Sequence, residues 1–272
     1  MKEPALVTFV GAGPGDPELL TIKGKRAIEE AELVLYAGSL VSPDVVGLAK
    51  EQAEIYDSAL LTLEQTHALV ARAAFAGKRV ARIHTGDPSI YGALAEQIEL
   101  LKRDGIPWRV IPGVTAAMAA AATSGISFSL PEISQSLLIT RFAGRTPMPE
   151  NEGLQKLAAL NIPLAIYLGG HKSAEIQEQL LQVLAPETPV ICASRIGWPE
   201  EKILRISLAN LAEAAAANGI GRQTLILVLP RHGEKAGRSR LYDGGFGHSW
   251  RAPVANSETD STNADMQCTS LL

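Results

Sequence analysis

The stretch VGAGPGDPELLT, Val10 to Thr21, decides how the chain is read. An apolar run, Leu6–Val10, leads into it, and a helix-like run, Thr21–Ala31, follows it. The unit is therefore strand, glycine-rich loop, helix. The dinucleotide fingerprint G-x-G-x-x-G has a third glycine where this chain has Asp16; the glycines here are Gly11, Gly13 and Gly15. Pro14 and Pro17 each remove a backbone donor, and a phosphate cradle needs those donors. Asp16 would repel a pyrophosphate, and the chain has no G-x-x-x-x-G-K-[ST]. The loop disfavours NAD and ATP. A tight turn that binds nothing stays open from this loop alone.

Outward from the loop, apolar runs alternate with helical spacing. Leu6–Val10, Leu33–Tyr36, Ala53–Tyr56, Arg79–Ile83 and Trp108–Ile111 read as strands. Thr21–Ala31, Pro43–Ala49, Leu63–Ala76 and Ala93–Arg103 read as the helices between them, which predicts a parallel sheet covered on both faces. A second series has strand candidates Ser136–Thr140, Leu164–Leu168, Val190–Ala193, Ile203–Ile206 and Leu225–Leu229. Its helices are Leu154–Leu160, Ala174–Leu184 and Leu208–Asn218, and alanine-rich Thr115–Thr123 opens it. The fold class is α/β, with an N-terminal domain over 1–113, a C-terminal domain over 114–251 and a tail over 252–272. The tail sequence from Asn256, NSETDSTNADMQCTSLL, is polar and aperiodic and reads as disordered.

Composition narrows the function. The chain has 272 residues, 46% hydrophobic and 20% charged, and a net charge of −4, which gives no global attraction to nucleic acid. An anionic ligand must therefore be held by local cations. No apolar run has the length of a membrane span or a signal-peptide core. The two cysteines, Cys192 and Cys268, make neither a disulfide framework nor a zinc spacing, and a reducing cytoplasm is expected. The five histidines show no i, i+4 pairing, so no metal site is expected.

Four more glycine-bearing segments fall at carboxyl ends of predicted strands: HTGDPSIYG (His84–Gly92), PGVTA (Pro112–Ala116), YLGGHK (Tyr167–Lys172) and SRIGWPEE (Ser194–Glu201). Open α/β sheets bind ligands at those ends. Such loops fit a neutral or zwitterionic ligand touched mainly by backbone, and an adenosyl group with an amino-acid tail meets that description.

VGAGPGDPELLTIKG together with RIHTGDPSIYG, PGVTA and WPEE resembles the tetrapyrrole methylases, the S-adenosylmethionine-dependent enzymes of sirohaem and cobalamin synthesis. Within that family, ISQSLLITRFAGRTPMPE (Ile133–Glu150) and SRLYDGGFGHSWR (Ser239–Arg251) are similar to the branch that methylates C11 of precorrin-4 or cobalt-precorrin-4. The resemblance spans residues 5–251. It implies two α/β/α domains in a kidney-shaped arrangement with the ligand cleft between them, a homodimer, and S-adenosylhomocysteine as the cofactor product. It implies cofactor contacts at Pro14, Gly86, Asp87, Ile90, Thr115, Ala116, Leu168 and Ile196. Where the family pattern has a small residue before its Trp-Pro pair, this chain has Ile196-Gly197-Trp198. Methylation at another carbon (C20, C17 or the C2/C7 pair) and a nucleotide-dependent oxidoreductase are the competing classes.

Methyl transfer from a sulfonium needs alignment and exclusion of water more than a nucleophile or a paired acid and base, and the chain has no G-x-S-x-G elbow. The catalytic group is unassigned, with Asp87 as the candidate, although Asp before Pro also suits a plain turn. The anionic acceptor calls for arginines, whose planar fork matches a carboxylate. Arg141 and Arg145 in one loop, with Arg82, His84 and Arg195, are the candidate substrate contacts. Surface pairing is the alternative for Arg82 and Arg195.

Overall fold

The computed structural model describes residues 3–252 apart from 145, 235, 236 and 238. Arg145 and residues 253–272 of the predicted tail lie outside the described residues.

The first five strands are β1 (Val7–Gly11), β2 (Leu33–Tyr36), β3 (Glu54–Asp57), β4 (Val80–His84) and β5 (Trp108–Ile111). They form one sheet in the order β3-β2-β4-β1-β5, every pairing parallel. The central strands β1 and β4 are buried at every position; β1 is apolar apart from Thr8, whereas β4 carries Arg82 and His84 into the buried sheet. Val7, Phe9 and Leu35 pack on one face against α3 (Leu63–Phe75) and α4 (Leu94–Arg103). Val10, Val34 and Ile83 pack on the other against α1 (Ile22–Glu29). The α1 crossover leaves β1 on one face and the α4 crossover leaves β4 on the other, so the adjacent ends of β1 and β4 form a topological switch point. The predicted helix Pro43–Ala49 is shorter than expected: α2 is Pro43–Val46, capped by Ser42 and ending at Gly47.

The second sheet holds β6 (Leu138–Arg141), β7 (Leu164–Tyr167), β8 (Pro189–Ser194), β9 (Lys202–Ser207) and β10 (Thr224–Val228) in the order β6-β7-β10-β8-β9. Only β6 and β7 pair in parallel; the other three pairings are antiparallel. The cause is local. No helix separates β8 from β9, so the short 195–201 connection folds them into a hairpin. Helices α6 (Leu154–Ala158), α7 (Ser173–Leu181) and α8 (Leu211–Ala217) cover one face, and α5 (Ala116–Thr123) lies on the other. Ala117, Ala119 and Ala120 of α5 pack against Ala165, Ala193 and Leu227 of the sheet, a close approach that small side chains permit. Cys192 is buried in the opposite cluster, and burial pushes its thiol up to about 12, so it behaves as a small apolar residue. No described helix is long and apolar enough to cross a membrane.

Candidate active site

The loops leaving β1, β4 and β5 meet backbone to backbone. Gly13 and Gly86 exchange two hydrogen bonds, Gly13 N donating to Gly86 O at 3.2 Å and Gly86 N to Gly13 O at 2.7 Å. A methyl group on Gly113 would sit 2.1 Å from Gly86 O, and one on Gly11 would sit 2.5 Å from Gly113 N. No side chain fits at either position, so the three loops are locked into one junction. Gly13 and Gly86 both have positive φ, +75° and +59°, which glycine adopts without strain.

Asp87 fastens the same junction. One carboxylate oxygen accepts from Ser89 N at 2.8 Å and from Ser89 Oγ, and the other accepts from Gly113 N at 3.0 Å. Burial raises the carboxyl pKa, but the bonds from Ser89 and Gly113 outweigh it and leave the group below its ordinary value. A carboxylate held in its charged form by backbone donors is a clamp rather than a poised base.

Trp198, at the tip of the β8–β9 hairpin, joins the second sheet to this junction. Its indole Nε1 donates to Pro14 O at 3.0 Å. Its ring occupies the space beside Gly15, where an added methyl would lie 2.4 Å from Cδ1. Arg195 has its guanidinium 5.3 Å from the centre of the Trp198 ring, and its Nη1 is 3.3 Å from Glu200 Oε2. Gly197 N donates to Glu201 Oε2 at 2.7 Å. Arg195 thus braces the hairpin tip. Ile196 points its side chain into the apolar cluster with Ala117 and Ala193, which leaves its backbone as the part able to face a ligand.

Tyr167, at the end of β7, closes the opposite side. Its hydroxyl lies 2.6 Å from Thr115 Oγ1 and accepts from Ala117 N at 3.0 Å. Thr115 makes no side-chain cap to its own helix, so the phenol satisfies an open N–H of α5. Burial raises the Tyr167 pKa against the pull of these two bonds. Tyr91 stands 5.7 Å from it, ring to ring, and reaches across from the first sheet. Burial, with Tyr167 and Glu152, raises the Tyr91 phenol while nearby Arg141 lowers it. Leu168 follows with φ +57° and 60% of its surface exposed. Tyr91, Ala93, Leu168 and Arg195 are all non-glycine residues in the left-handed region, and all lie on loops around this cleft. Four further described non-glycine residues, Glu132, Asn161, Gln223 and Arg231, share that conformation elsewhere in the fold.

Pro14, Gly86, Asp87, Thr115 and Ile196 therefore lie on loops linked by these contacts, with Ala116 opening α5 next to Thr115 and Leu168 following Tyr167. The charged candidates are more dispersed. Arg82 and His84 lie inside the first sheet and, with Ile90, wall a cavity of about 310 Å³. Arg141, at the end of β6, turns its fork onto its own loop, donating to Thr146 O at 3.3 Å and Pro147 O at 2.6 Å. The Trp198 anchor and the Tyr167 cap were not foreseen. Both are hydrogen bonds between residues far apart in sequence, and the one cue was the aromatic beside each glycine motif. The group fits an adenosyl ligand: it offers partly exposed backbone at Gly86 and Gly113, the exposed apolar side chain of Leu168 and one carboxylate held by backbone donors.

The family model for tetrapyrrole (corrin/porphyrin) methylases matches residues 6–212. The chain belongs to the tetrapyrrole methylases. Among curated relatives, the cobalt-precorrin-4 C(11)-methyltransferase of Methanocaldococcus jannaschii is 46% identical, over 90% of this chain and 95% of that protein. The precorrin-4 C(11)-methyltransferase of Pseudomonas aeruginosa is 46% identical, over 82% of this chain and 88% of that protein. The X-ray structure of a cobalt precorrin-4 methyltransferase superimposes with a TM-score of 0.81 at 39% identity, covering 82% of this chain and 94% of that one. A uroporphyrin-III C-methyltransferase from Thermus thermophilus, crystallised with S-adenosylhomocysteine, gives 0.69 at 29% identity, covering 83% of this chain and 92% of that one.

Proposed function

We propose that this tetrapyrrole methylase transfers a methyl group from S-adenosylmethionine to C11 of precorrin-4 or cobalt-precorrin-4, as the relatives' names describe for those proteins. The observation that carries the cofactor half is the close backbone junction of Gly11, Gly86 and Gly113 at the switch point, where Gly86 and Gly113 remain partly exposed. S-adenosylmethionine, when bound, supplies a methyl group already activated on sulfonium. Pro14, Gly86, Thr115 and Ala116 hold the adenosyl end through backbone. Asp87 positions Gly113 and the turn at Ser89. Ile90, Leu168 and the backbone of Ile196 exclude water around the reacting centre, where orientation supplies much of the rate.

The acceptor lies in the cleft between a domain of residues 1–113 and one of 114–251. Arg141, Arg145, Arg82, His84 and Arg195 are assigned to its carboxylates. The enzyme works as a cytoplasmic homodimer without nucleic acid. The test is incubation with the methyl donor and precorrin-4, product mass, and NMR with a carbon-labelled methyl group. A gain of one methyl at C11 is expected, and a label at another carbon overturns the assignment.

A further inference from the structure

Arg82 is 8% exposed, and each acceptor of its guanidinium is neutral. It donates through Nε to Gln97 Oε1 at 3.0 Å, and through Nη1 to Ser58 Oγ at 2.9 Å and Leu35 O at 3.4 Å. Burial lowers its pKa to about 10 against the opposing charge of Asp57, so it stays a cation at neutral pH. A buried charge without a contacting counter-ion is unfavourable. This one is not sealed in a packed core; it walls the 310 Å³ cavity at the carboxyl end of the first sheet.

The rest of the cavity wall suits an anion. Thr62, Leu63 and Thr66, from the N-terminal turn of the 13-residue helix α3, line it, and that end of a helix is its positive end. His84 is 96% buried and also lines it, and its Nε2 has no hydrogen-bond partner. Burial and then the charge of Arg82 hold its pKa at about 3, so the imidazole is neutral and adds no repulsion to a second cation. Among the described residues, no carboxylate lines the cavity.

We propose that this cavity is a chamber for one carboxylate group, with the Arg82 guanidinium as its counter-ion. A planar fork matches a two-oxygen ligand. The space of about 310 Å³ readily admits an acetate- or propionate-sized arm. Two molecules of the proposed reaction carry such a group: the acceptor, on its arms, and the cofactor, on its amino-acid end. Only the naming of these two sources rests on the proposed methyl transfer; the chamber itself rests on the unbalanced guanidinium.

The experiment compares wild type with Arg82→Gln by thermal unfolding and calorimetry. The probes are uroporphyrin III, a tetrapyrrole with acetate and propionate arms, and S-adenosylhomocysteine. Unliganded Arg82→Gln should melt above wild type by about 2–4 °C, the shift that relief of roughly 1 kcal/mol gives a chain of this size. A residue with a merely structural role would lower the melting point instead. Uroporphyrin affinity should fall at least about tenfold if the group is an acceptor arm. If affinity for S-adenosylhomocysteine falls instead, the chamber takes the cofactor's carboxylate.

Both affinities unchanged in folded Arg82→Gln overturn the proposal, whatever the melting temperature. Should Arg82→Gln fail to fold, Ala37→Leu narrows the same space without touching the arginine's bonds. It must weaken one of the two ligands, and unchanged affinity for both overturns the chamber. Absence of S-adenosylhomocysteine binding in wild type would count against the methyl-transfer reading and leave the chamber standing on its uroporphyrin result.

Discussion

Gly113→Ala probes the junction that shapes the cofactor cleft. The added methyl would lie 2.1 Å from Gly86 O and 2.8 Å from Gly11 C, whereas ordinary contact begins at 3.4 Å. The Gly86 carbonyl must therefore retreat by roughly 1.3 Å, and both neighbours are backbone that cannot rotate aside. Overpacking of this kind costs about 1–3 kcal/mol. The same movement pulls Gly113 N away from Asp87, a 3.0 Å bond to a charged acceptor and worth roughly 1.5–3 kcal/mol. The two losses share one displacement, so they overlap rather than add. A weakening of S-adenosylhomocysteine binding by about ten- to a hundredfold is expected, at 1.4 kcal/mol per tenfold. Calorimetry reads it, with Gly153→Ala as the control, since a methyl there meets nothing closer than 4.0 Å. If folded Gly113→Ala bound the ligand as tightly as wild type, the junction would not be what shapes the site.

Tyr167→Phe leaves Ala117 N and Thr115 Oγ1 without their partner; a loss of about 1–3 kcal/mol in stability is expected by denaturant titration, and an unchanged midpoint would refute the capping role. Trp198→Phe keeps the ring beside Gly15 but loses the bond to Pro14 O; stability should fall by about 1 kcal/mol, and Trp198→Ala should be worse because the packing goes too. Asp104 is held at about 2 by hydrogen bonds from Arg103 and then His67. Because the folded value is depressed, its stabilising contribution is complete above the unfolded carboxylate value near pH 4 and is lost as pH falls through about 2. Asp104→Asn should therefore melt below wild type at pH 6 and converge with it on acidification toward pH 2; a gap that stays constant with pH would show the pair to be electrostatically inert.

The first sheet was legible because short apolar segments alternate with helical spacing; buried Leu33–Tyr36 and the edge strand Trp108–Ile111 have the predicted bounds. The second series gave its strands but not their directions. Apolar runs carry no polarity, and what set the antiparallel order was the short 195–201 connection. The glycine loops announced a close backbone approach without saying which backbones meet, since Gly11, Gly86 and Gly113 belong to three different loops. The arginines were the hardest to read. Arg82, Arg141 and Arg195 each spend donors on neutral carbonyls, an amide, a hydroxyl or a local glutamate, and such partners have no signature in sequence. Left-handed Leu168 was equally hidden, because glycine is the only residue whose letter advertises that conformation.

The Trp198 anchor has a spectroscopic consequence. The chain has three tryptophans. Trp250 is 94% exposed and Trp108 37% exposed, so a collisional quencher such as iodide dims Trp250 most. Trp198 is partly buried, its indole N–H bonded across the two sheets and a guanidinium over its ring. Its emission is thus tied to the seam itself. Any event that parts the hairpin tip from Pro14 exposes the indole to water and shifts that light to the red. The protein carries its own optical gauge of whether its two halves are engaged, and no dye need be attached to read it.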